Sequence, residues 1–446
     1  MSDAAGSNPL ARFVRAAAQV ERSEVRATVL AFSFVFVLMT AYAVLKPLRD
    51  ALAADWGNVG LSLTWTANFG LSLVAVAAYG AALTFVRFRV MVPAVYVFFA
   101  LTFFGLFAIR AQGIDPALVN KGFYVWVSVF SLFNLSVFWS FMTEVFNREQ
   151  ARRLFGVIAA GTTVGAIAGP VLTAALVGRL GVNGLLLLSS LLLLYPVLAI
   201  PLLRREQETR LGNAGAAAQP DARQALGTNP FAGFSVLFSD RYLLGICGFI
   251  LLYVAINTFV YFELQNLTRA YSLEFRAQIW SAIEITTNVL TLLIAAFVTG
   301  RIVTRLGMPV ALSIMPALVA IGILALVAAP VLVVLAAFQV GRRVGNYAIT
   351  RPSREMLFTV LNREVRFKAK PVIDVVVYRG GDVMTAWLFT LLADQLRLGL
   401  QGIAWVIGGI ALAWGLTALW LGRRYAARSD MQATSLDKGE TSRGIA

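Results

Sequence analysis

Long apolar stretches alternate with short polar segments along almost the whole chain. Twelve of these stretches are long enough to predict membrane-spanning helices, because about 20 residues of α-helix cross the hydrocarbon core of a bilayer. Their approximate limits are 27–50, 59–86, 91–111, 117–146, 153–178, 183–203, 241–268, 275–300, 308–328, 330–358, 366–394 and 401–422. Only 14% of the residues are charged and 59% are hydrophobic. The pattern therefore predicts an all-α polytopic membrane protein whose surroundings are the lipid bilayer.

Arginine and lysine residues cluster on one side of these predicted helices. They are dense in the N-terminal tail and in the loops that follow the even-numbered spans, and sparse in the other loops. Cytoplasmic loops carry such an excess, so both termini are expected on the cytoplasmic side of a membrane of the bacterial inner type. The net charge of +15 is explained by this topology, and we expect no binding of nucleic acid.

A polar segment near the middle divides the predicted spans into two sets of six. We predict a cytoplasmic tail at 1–26, a six-helix bundle at 27–203, a cytoplasmic linker at 204–240, a second bundle at 241–425 and a disordered cytoplasmic tail at 426–446. The tripeptide Asn-Arg-Glu follows span 4 at 147–149 and span 10 at 362–364, and the same offset carries the start of span 1 to the start of span 7. This echo indicates a duplication, and two six-helix halves with a cytoplasmic linker are typical of major facilitator transporters.

Several kinds of chemistry have no residues to support them. The chain has no histidine and one cysteine, Cys247, so it offers no internal disulfide and no cysteine or histidine metal cluster. It also lacks a phosphate-binding loop or a catalytic triad, and we expect neither an enzyme nor a bound cofactor or metal. Four glycines in span 5 form a small-residue row that predicts close helix packing: Gly156, Gly161, Gly165 and Gly169.

In the first half, the candidate site lies at the end of span 1. Lys46 and Arg49 are three residues apart and share a helix face, which suits an anionic substrate. The alternative is that the helix ends before Lys46 and that both side chains reach into the membrane interface. Asp50 is a candidate gating or proton-coupling residue. Glu144 in span 4 either contributes to substrate binding or pairs with Arg148, four residues later.

In the second half, polar residues interrupt spans 7, 8 and 10. Ionisable groups inside a membrane are costly and usually functional, so Arg342 and Arg343 are predicted to bind an anionic group. A salt bridge to Glu263 or Glu284 is the alternative, and Glu263 could also form a gate with Lys46. Further candidates for substrate binding are Asn257, Glu263, Asn346 and Tyr347. Candidates for gating or proton coupling are Glu284 and the charged stretch that runs from the end of span 10 into span 11, with Arg351, Arg354, Glu355, Lys368, Lys370, Asp374 and Arg379.

Three segments together resemble the ATP/ADP translocases, the nucleotide transporter family of plastids and intracellular bacteria. They are LKPLRD at 45–50, FWSFMTEVFNREQARRLFG at 138–156, and YAITRPSREMLF with NREVRFKAKPVIDVV between 347 and 376. The resemblance implies a major-facilitator-like fold and exchange of ATP for ADP and phosphate. It also implies that Lys46 binds substrate and that Glu144 and Glu263 are the matching acidic positions. The chain departs from the family pattern at Asn346, Arg351 and Arg354, and after Asp374.

The leading expectation is a transporter that works by alternating access and acts as a monomer. Its partner would be a small organic anion such as a nucleotide, with ATP/ADP exchange as the leading case. One alternative is a proton-coupled major facilitator transporter of another solute, such as a drug, a lipid or a metabolite. Another is a membrane scaffold or sensor that transports nothing.

Overall fold

The computed structural model describes residues 20–113, 116–209, 211, 232–297, 299–362, 365, 369–370 and 372–443. Within these ranges, all regular structure is helical. Most of the predicted N-terminal tail, the central part of the linker and Lys368 lie outside the described residues.

The helices follow the predicted apolar stretches closely. Their bounds are α1 Val25–Ala53, α2 Gly57–Phe85, α3 Phe88–Ala111, α4 Pro116–Val145, α5 Arg148–Leu192, α6 Leu194–Thr209, α7 Ala232–Ser239, α8 Arg241–Thr268, α9 Leu273–Phe297, α10 Thr299–Ala328, α11 Leu332–Gly345, α12 Arg351–Met356, α13 Tyr378–Thr390 and α14 Leu400–Arg443. Three π-helical segments, Asn346–Thr350, Val372–Val377 and Leu391–Gln395, extend α11 and flank α13.

Two long helices bend at a glycine that has a positive φ. Gly181 divides α5 (φ 58°), and Gly307 divides α10 near its start (φ 76°). Such backbone angles are readily accessible only to glycine. The bends fall where the sequence predicts the gap between spans 5 and 6 and the start of span 9.

Nine helical stretches of the described chain are long and apolar enough to cross a membrane. Two of them are long enough to hold two predicted spans each, Val25–Ala82 with 58 residues and Arg148–Thr209 with 62. Predicted span 10 is not among the nine, because polar residues such as Gln339, Arg342 and Arg343 make its helix less apolar. The difference between nine stretches and twelve predicted spans thus comes from two stretches that each hold two spans and from the polar span 10.

The chain forms two compact units that differ from the predicted halves by two short segments. Ala54–Phe69 of the first half belongs to unit 2, and Ser272–Ile285 of the second half belongs to unit 1. Unit 1 holds the described parts of Met1–Ala53, Gly70–Arg223 and Ser272–Ile285, and unit 2 holds those of Ala54–Phe69, Gln224–Tyr271 and Thr286–Ala446. The predicted boundaries of the two bundles and the linker therefore stay a prediction.

Unit 1 is built around the close packing of α1 on α5. A Cβ atom added at Gly161, Gly165 or Gly169 would lie 2.8 Å or less from an atom of α1. The predicted packing row is thus confirmed for these three glycines. It is wrong for Gly156, where an added Cβ would meet nothing within 4 Å. Buried hydroxyls also hold α1, since Ser189 donates to the Ala41 carbonyl and Thr173 to that of Val44.

Unit 2 repeats this contact between α8 and α13. A Cβ atom added at Gly381 would lie 2.8 Å from Leu251, as one at Gly165 would lie 2.5 Å from the Phe36 carbonyl. Gly381 follows Gly165 by 216 residues, and Leu251 follows Phe36 by 215. The same helix pair therefore packs through a glycine at matching positions in each half, as the predicted duplication requires.

The C-terminal tail and the described parts of the linker are more helical than the sequence predicts. The last helix continues to Arg443, over most of the predicted disordered tail, and α6 and α7 extend into the predicted linker from either side. Residues 426–438 contain no proline or glycine and carry three alanines. Alanine has the strongest intrinsic preference for helix, so the helix has no local reason to stop at the membrane surface.

Candidate functional site

In unit 1, Lys46 and Glu284 form an ion pair. The Lys46 Nζ lies 2.9 Å from Glu284 Oε2, and the two side chains are 22% and 4% exposed. Helix α1 continues through Lys46 and Pro47 to Ala53. The helix therefore does not end before Lys46, whereas the alternative that Lys46 and Arg49 are interfacial stays a prediction.

Arg49 is held by neighbours within the same unit. Its Nε and Nη2 donate to Asp50 Oδ1 at 2.9 and 2.7 Å, and its Nη1 donates to Ser128 Oγ at 3.2 Å. The guanidinium also lies 4.9 Å from the ring centroid of Tyr124. Asp50 is 2% exposed. In this conformation, the buried Asp50 carboxylate therefore positions Arg49, whereas its predicted gating role stays a prediction.

Arg276 is a third cation at the end of α1, and the sequence did not identify it as a site residue. It is 6% exposed, and its Nη1 donates to the Ala51 carbonyl at 3.1 Å. At the sequence level it resembled one of the scattered basic residues of the outer loops. Its position eight residues before Glu284 on the same helix is the signal that could have found it. Together these residues form the Lys46 cluster: Lys46, Arg49, Asp50, Arg276 and Glu284.

Glu144 lies near the C-terminal end of α4 and is half-buried. Its main-chain carbonyl accepts a hydrogen bond from Gln207 Nε2 at 2.8 Å. That bond fixes the end of α4 against α6. The predicted substrate-binding role of the Glu144 carboxylate stays a prediction, as does its predicted pairing with Arg148.

In unit 2, Arg342 is a buried guanidinium with neutral partners. It is 1% exposed, its Nη2 donates to Gln339 Oε1 at 2.7 Å, and its Nη1 donates to the Tyr253 hydroxyl at 3.4 Å. Its Nε is buried and has no acceptor among the described residues. Within unit 2, no described carboxylate pairs with Arg342, so the alternative of a salt bridge to Glu263 does not form. The alternative of a salt bridge to Glu284 stays a prediction.

The residues that follow Arg342 on span 10 are less enclosed. Arg343 is 8% exposed, and its guanidinium lies 5.9 Å from the ring centroid of Tyr347. Asn346 is half-buried, and Tyr347 is 39% exposed. Both lie in the π-helical segment Asn346–Thr350, and π-helical turns often occur at functional sites.

Helix α8 carries the other polar residues of this unit. Glu263 is 6% exposed and makes no hydrogen bond or ion pair within the described part of the chain. The predicted gate between Glu263 and Lys46 stays a prediction; within its own unit, Lys46 pairs with Glu284. Asn257 is half-buried on the same helix.

The charged stretch after Arg343 forms local pairs. Glu355 Oε2 contacts Lys370 Nζ, and Arg354 Nη2 donates to Glu355 Oε1 at 3.4 Å. The contact of Glu355 with Lys370 joins α12 to the segment that leads to α13. Arg351 and Asp374 are exposed.

Arg379 lies near a carboxylate of its own helix, since its Nη1 is 3.9 Å from Asp382 Oδ2 one turn later. The gating roles predicted for the charged stretch stay predictions, and Lys368 lies outside the described residues.

No protein family matches the sequence, and no curated protein does either. Solved structures are similar to it over almost their full length. One is the nucleoside transporter NupG, with a TM-score of 0.60 and 12% identity, covering 90% of this chain and 99% of that chain. A transporter of the POT family in complex with 5-aminolevulinic acid has a TM-score of 0.61 and 11% identity, covering 90% and 96%. A bacterial metal transporter has a TM-score of 0.55 and 14% identity, covering 90% and 98%.

At these low identities, the similarity shows the fold. The similar structures are of the major facilitator type, and the described chain is helical throughout its regular structure. The predicted fold class is therefore confirmed: the chain is an all-α polytopic membrane protein with the fold of major facilitator transporters.

Proposed function

We propose that this protein is a membrane transporter for an organic anion and that it works by alternating access. A nucleotide is the leading substrate class. The observation that supports the proposal is Arg342, a 1% exposed guanidinium whose partners are the neutral side chains of Gln339 and Tyr253.

A buried charge without a counter-charge is costly, because neutral hydrogen bonds do not replace the water that the ion has lost. The Nε of Arg342 adds a buried donor without an acceptor among the described residues, and such a group costs about 1–3 kcal/mol. An anionic ligand would remove both deficits. Guanidinium groups bind phosphate and carboxylate through paired hydrogen bonds, so a substrate with either group fits Arg342.

The Lys46 cluster suits a transporter for a related reason. Glu284 forms an ion pair with Lys46 in this conformation. An incoming anion that binds Lys46 would therefore have to displace the Glu284 carboxylate. A ligand changes a conformational equilibrium only through different interaction energies with the two states. Exchange of partners at Lys46 would provide such a difference.

Nucleotides lead the list of anions because the three sequence segments resemble ATP/ADP translocases, and because NupG, a similar structure, is a nucleoside transporter. The changes at Asn346, Arg351 and Arg354 alter the charges of that pattern. Proton-coupled transport of another solute is the second candidate. It is supported by Glu263, a buried carboxylate that has no charged partner among the described residues.

The proposal also includes the location, orientation and oligomeric state of the transporter. They are a bacterial inner membrane, both termini on the cytoplasmic side, and a monomer as the transporting unit. None of them affects how Arg342 would bind an anion.

Ligand-dependent stabilisation of the purified protein tests the substrate class. Samples with ATP, ADP, inorganic phosphate, amino acids and lipids are heated, and the midpoint of unfolding is recorded. A ligand at 100 times its Kd stabilises the folded state by about 2.7 kcal/mol. We expect stabilisation by nucleotides, and its loss in Arg342→Gln.

Arg241→Gln is the matched control, since Arg241 is exposed at the start of α8 and the change in charge is the same. This variant should keep the stabilisation. Equal stabilisation of the Arg342 and Arg241 variants would contradict the role of Arg342. Stabilisation by uncharged solutes alone would contradict the anion.

A further inference from the structure

Gln265 of α8 is the most unusual polar residue of unit 2. It is 3% exposed, and neither its amide oxygen nor its amide nitrogen has a hydrogen-bond partner among the described residues. Buried amides are normally paired, because an unpaired one loses its hydration without replacement. A leucine at this position would avoid the cost. Both amide atoms are therefore available to a partner that the described chain does not supply.

An aromatic pair lies next to Gln265. Tyr261 precedes it by four residues and shares its helix face. The Tyr261 ring packs against Trp65, with centroids 5.5 Å apart and an angle of 38° between the ring planes. Trp65 is half-buried.

A second amide with an unpaired oxygen follows on α2. Asn68 comes one turn after Trp65, and its buried side-chain oxygen has no donor within the described ranges. Unit 2 thus places two aromatic rings near the unpaired amide of Gln265 and the unpaired oxygen of Asn68, which come from two different helices.

We propose that Trp65, Tyr261 and Gln265 form a subsite for a planar heterocyclic ring, with a purine base as the fitting class. Aromatic side chains stack on the flat faces of bases. The amide of glutamine carries one donor side and one acceptor side, and it can pair with the edge of adenine through two hydrogen bonds. A lipid chain would leave the amides unpaired, and an inorganic anion would not use the rings.

The position of the subsite along α8 supports a substrate with an anionic end. Tyr253, which accepts the hydrogen bond from Arg342, lies eight residues before Tyr261. Eight residues of α-helix rise about 12 Å, comparable to the length of an extended nucleoside polyphosphate. Asn257 lies midway between the two tyrosines, level with the sugar of such a molecule. This subsite rests on the proposed function, since it supplies the ring-binding end of the same substrate.

Three ligands separate the two ends of the site. ATP carries ring and phosphates, adenosine carries only the ring, and inorganic tripolyphosphate carries only the anion. Binding of each to the purified full-length protein is measured by calorimetry for the wild type, Gln265→Leu, Trp65→Leu and Arg342→Gln. Asn266→Leu is the matched control, because Asn266 is the exposed neighbour of Gln265 on α8.

We expect Gln265→Leu and Trp65→Leu each to weaken the binding of adenosine and ATP by about ten-fold or more. One paired amide and one stacked base each contribute about 1–3 kcal/mol. Both variants should leave tripolyphosphate binding unchanged. Arg342→Gln should weaken the binding of tripolyphosphate and leave the binding of adenosine unchanged. The thermal stability of Gln265→Leu without ligand should equal or exceed that of the wild type, because the substitution removes an unpaired buried amide.

Each of the opposite results contradicts either the ring subsite or the proposed function. If adenosine binds equally well to Gln265→Leu and to the wild type, the ring subsite is wrong. The same holds if tripolyphosphate binds the wild type and ATP binds no better than tripolyphosphate. If no anion binds in an Arg342-dependent manner, the proposed function fails, whatever adenosine does.

Discussion

Removal of Lys46 should expose how strongly unit 1 depends on its ion pair. In Lys46→Met, the Glu284 carboxylate stays buried, with its side chain 4% exposed, and loses the ammonium 2.9 Å away. Loss of one partner from a buried pair costs about 3–5 kcal/mol, whereas replacement of both by apolar groups is often neutral. Because the Lys46 side chain is 22% exposed, water weakens the pair, and the lower end of the range, about 3 kcal/mol, applies.

A double-mutant cycle measures this pairing directly. Lys46→Met, Glu284→Leu and the double variant are unfolded reversibly in mixed micelles at pH 7, and the free energies of unfolding are compared. We expect the double variant to be more stable than Lys46→Met, with a coupling energy of about 2–3 kcal/mol. Additive effects, with a coupling energy below about 0.5 kcal/mol, would refute the pair as a determinant of stability.

Two further changes test the packing of α1 and the ion pair between Asp240, at the start of α8, and Arg428. Gly165→Ala places a Cβ 2.5 Å from the Phe36 carbonyl and should cost about 1–3 kcal/mol in a thermal melt. Gly156→Ala, with nothing within 4 Å, should be neutral or stabilising, and equal effects would contradict the packing row.

Burial raises the pKa of the Asp240 carboxyl, but hydrogen bonds from Arg428 and the Tyr242 N–H and the Arg428 charge outweigh it and lower the pKa. A lowered pKa stabilises the fold above the pKa of the unfolded chain, and this contribution is lost as the pH falls through the folded value. Arg428→Gln should therefore be less stable than the wild type at pH 7, and the difference should shrink below about pH 4. A difference that does not depend on pH would contradict this pair.

The positions of the helices could be predicted because apolar runs of the required length leave few alternatives. The predicted span 241–268 coincides with α8, Arg241–Thr268. The burial of Arg342 could be predicted from its depth within span 10. An arginine a dozen residues into a membrane helix is costly in lipid and therefore faces the protein interior. The glycine row was informative because small residues allow close approach of two helices.

Pairings between helices could not be predicted from the sequence. Lys46 and Glu284 are 238 residues apart, and the choice between Glu263 and Glu284 depends on how the helices are rotated and placed. Arg276 was missed because a buried arginine at a helix start and an exposed one in a loop have the same local sequence signal. The unpaired amide of Gln265 is also invisible in the sequence, because only the fold shows which neighbours a glutamine lacks.

Nucleotide exchange in proteoliposomes is the most direct test of the anion site at Arg342. Vesicles that contain the full-length protein are loaded with unlabelled ADP, and uptake of labelled ATP is followed for the wild type, Arg342→Gln and Arg241→Gln. We predict saturable exchange by the wild type and the Arg241 variant, and a rate about a hundred-fold lower for Arg342→Gln, since loss of a buried charged partner costs about 2–5 kcal/mol. Equal rates for the Arg342 and Arg241 variants, or no nucleotide exchange by the wild type, would contradict a nucleotide site at Arg342.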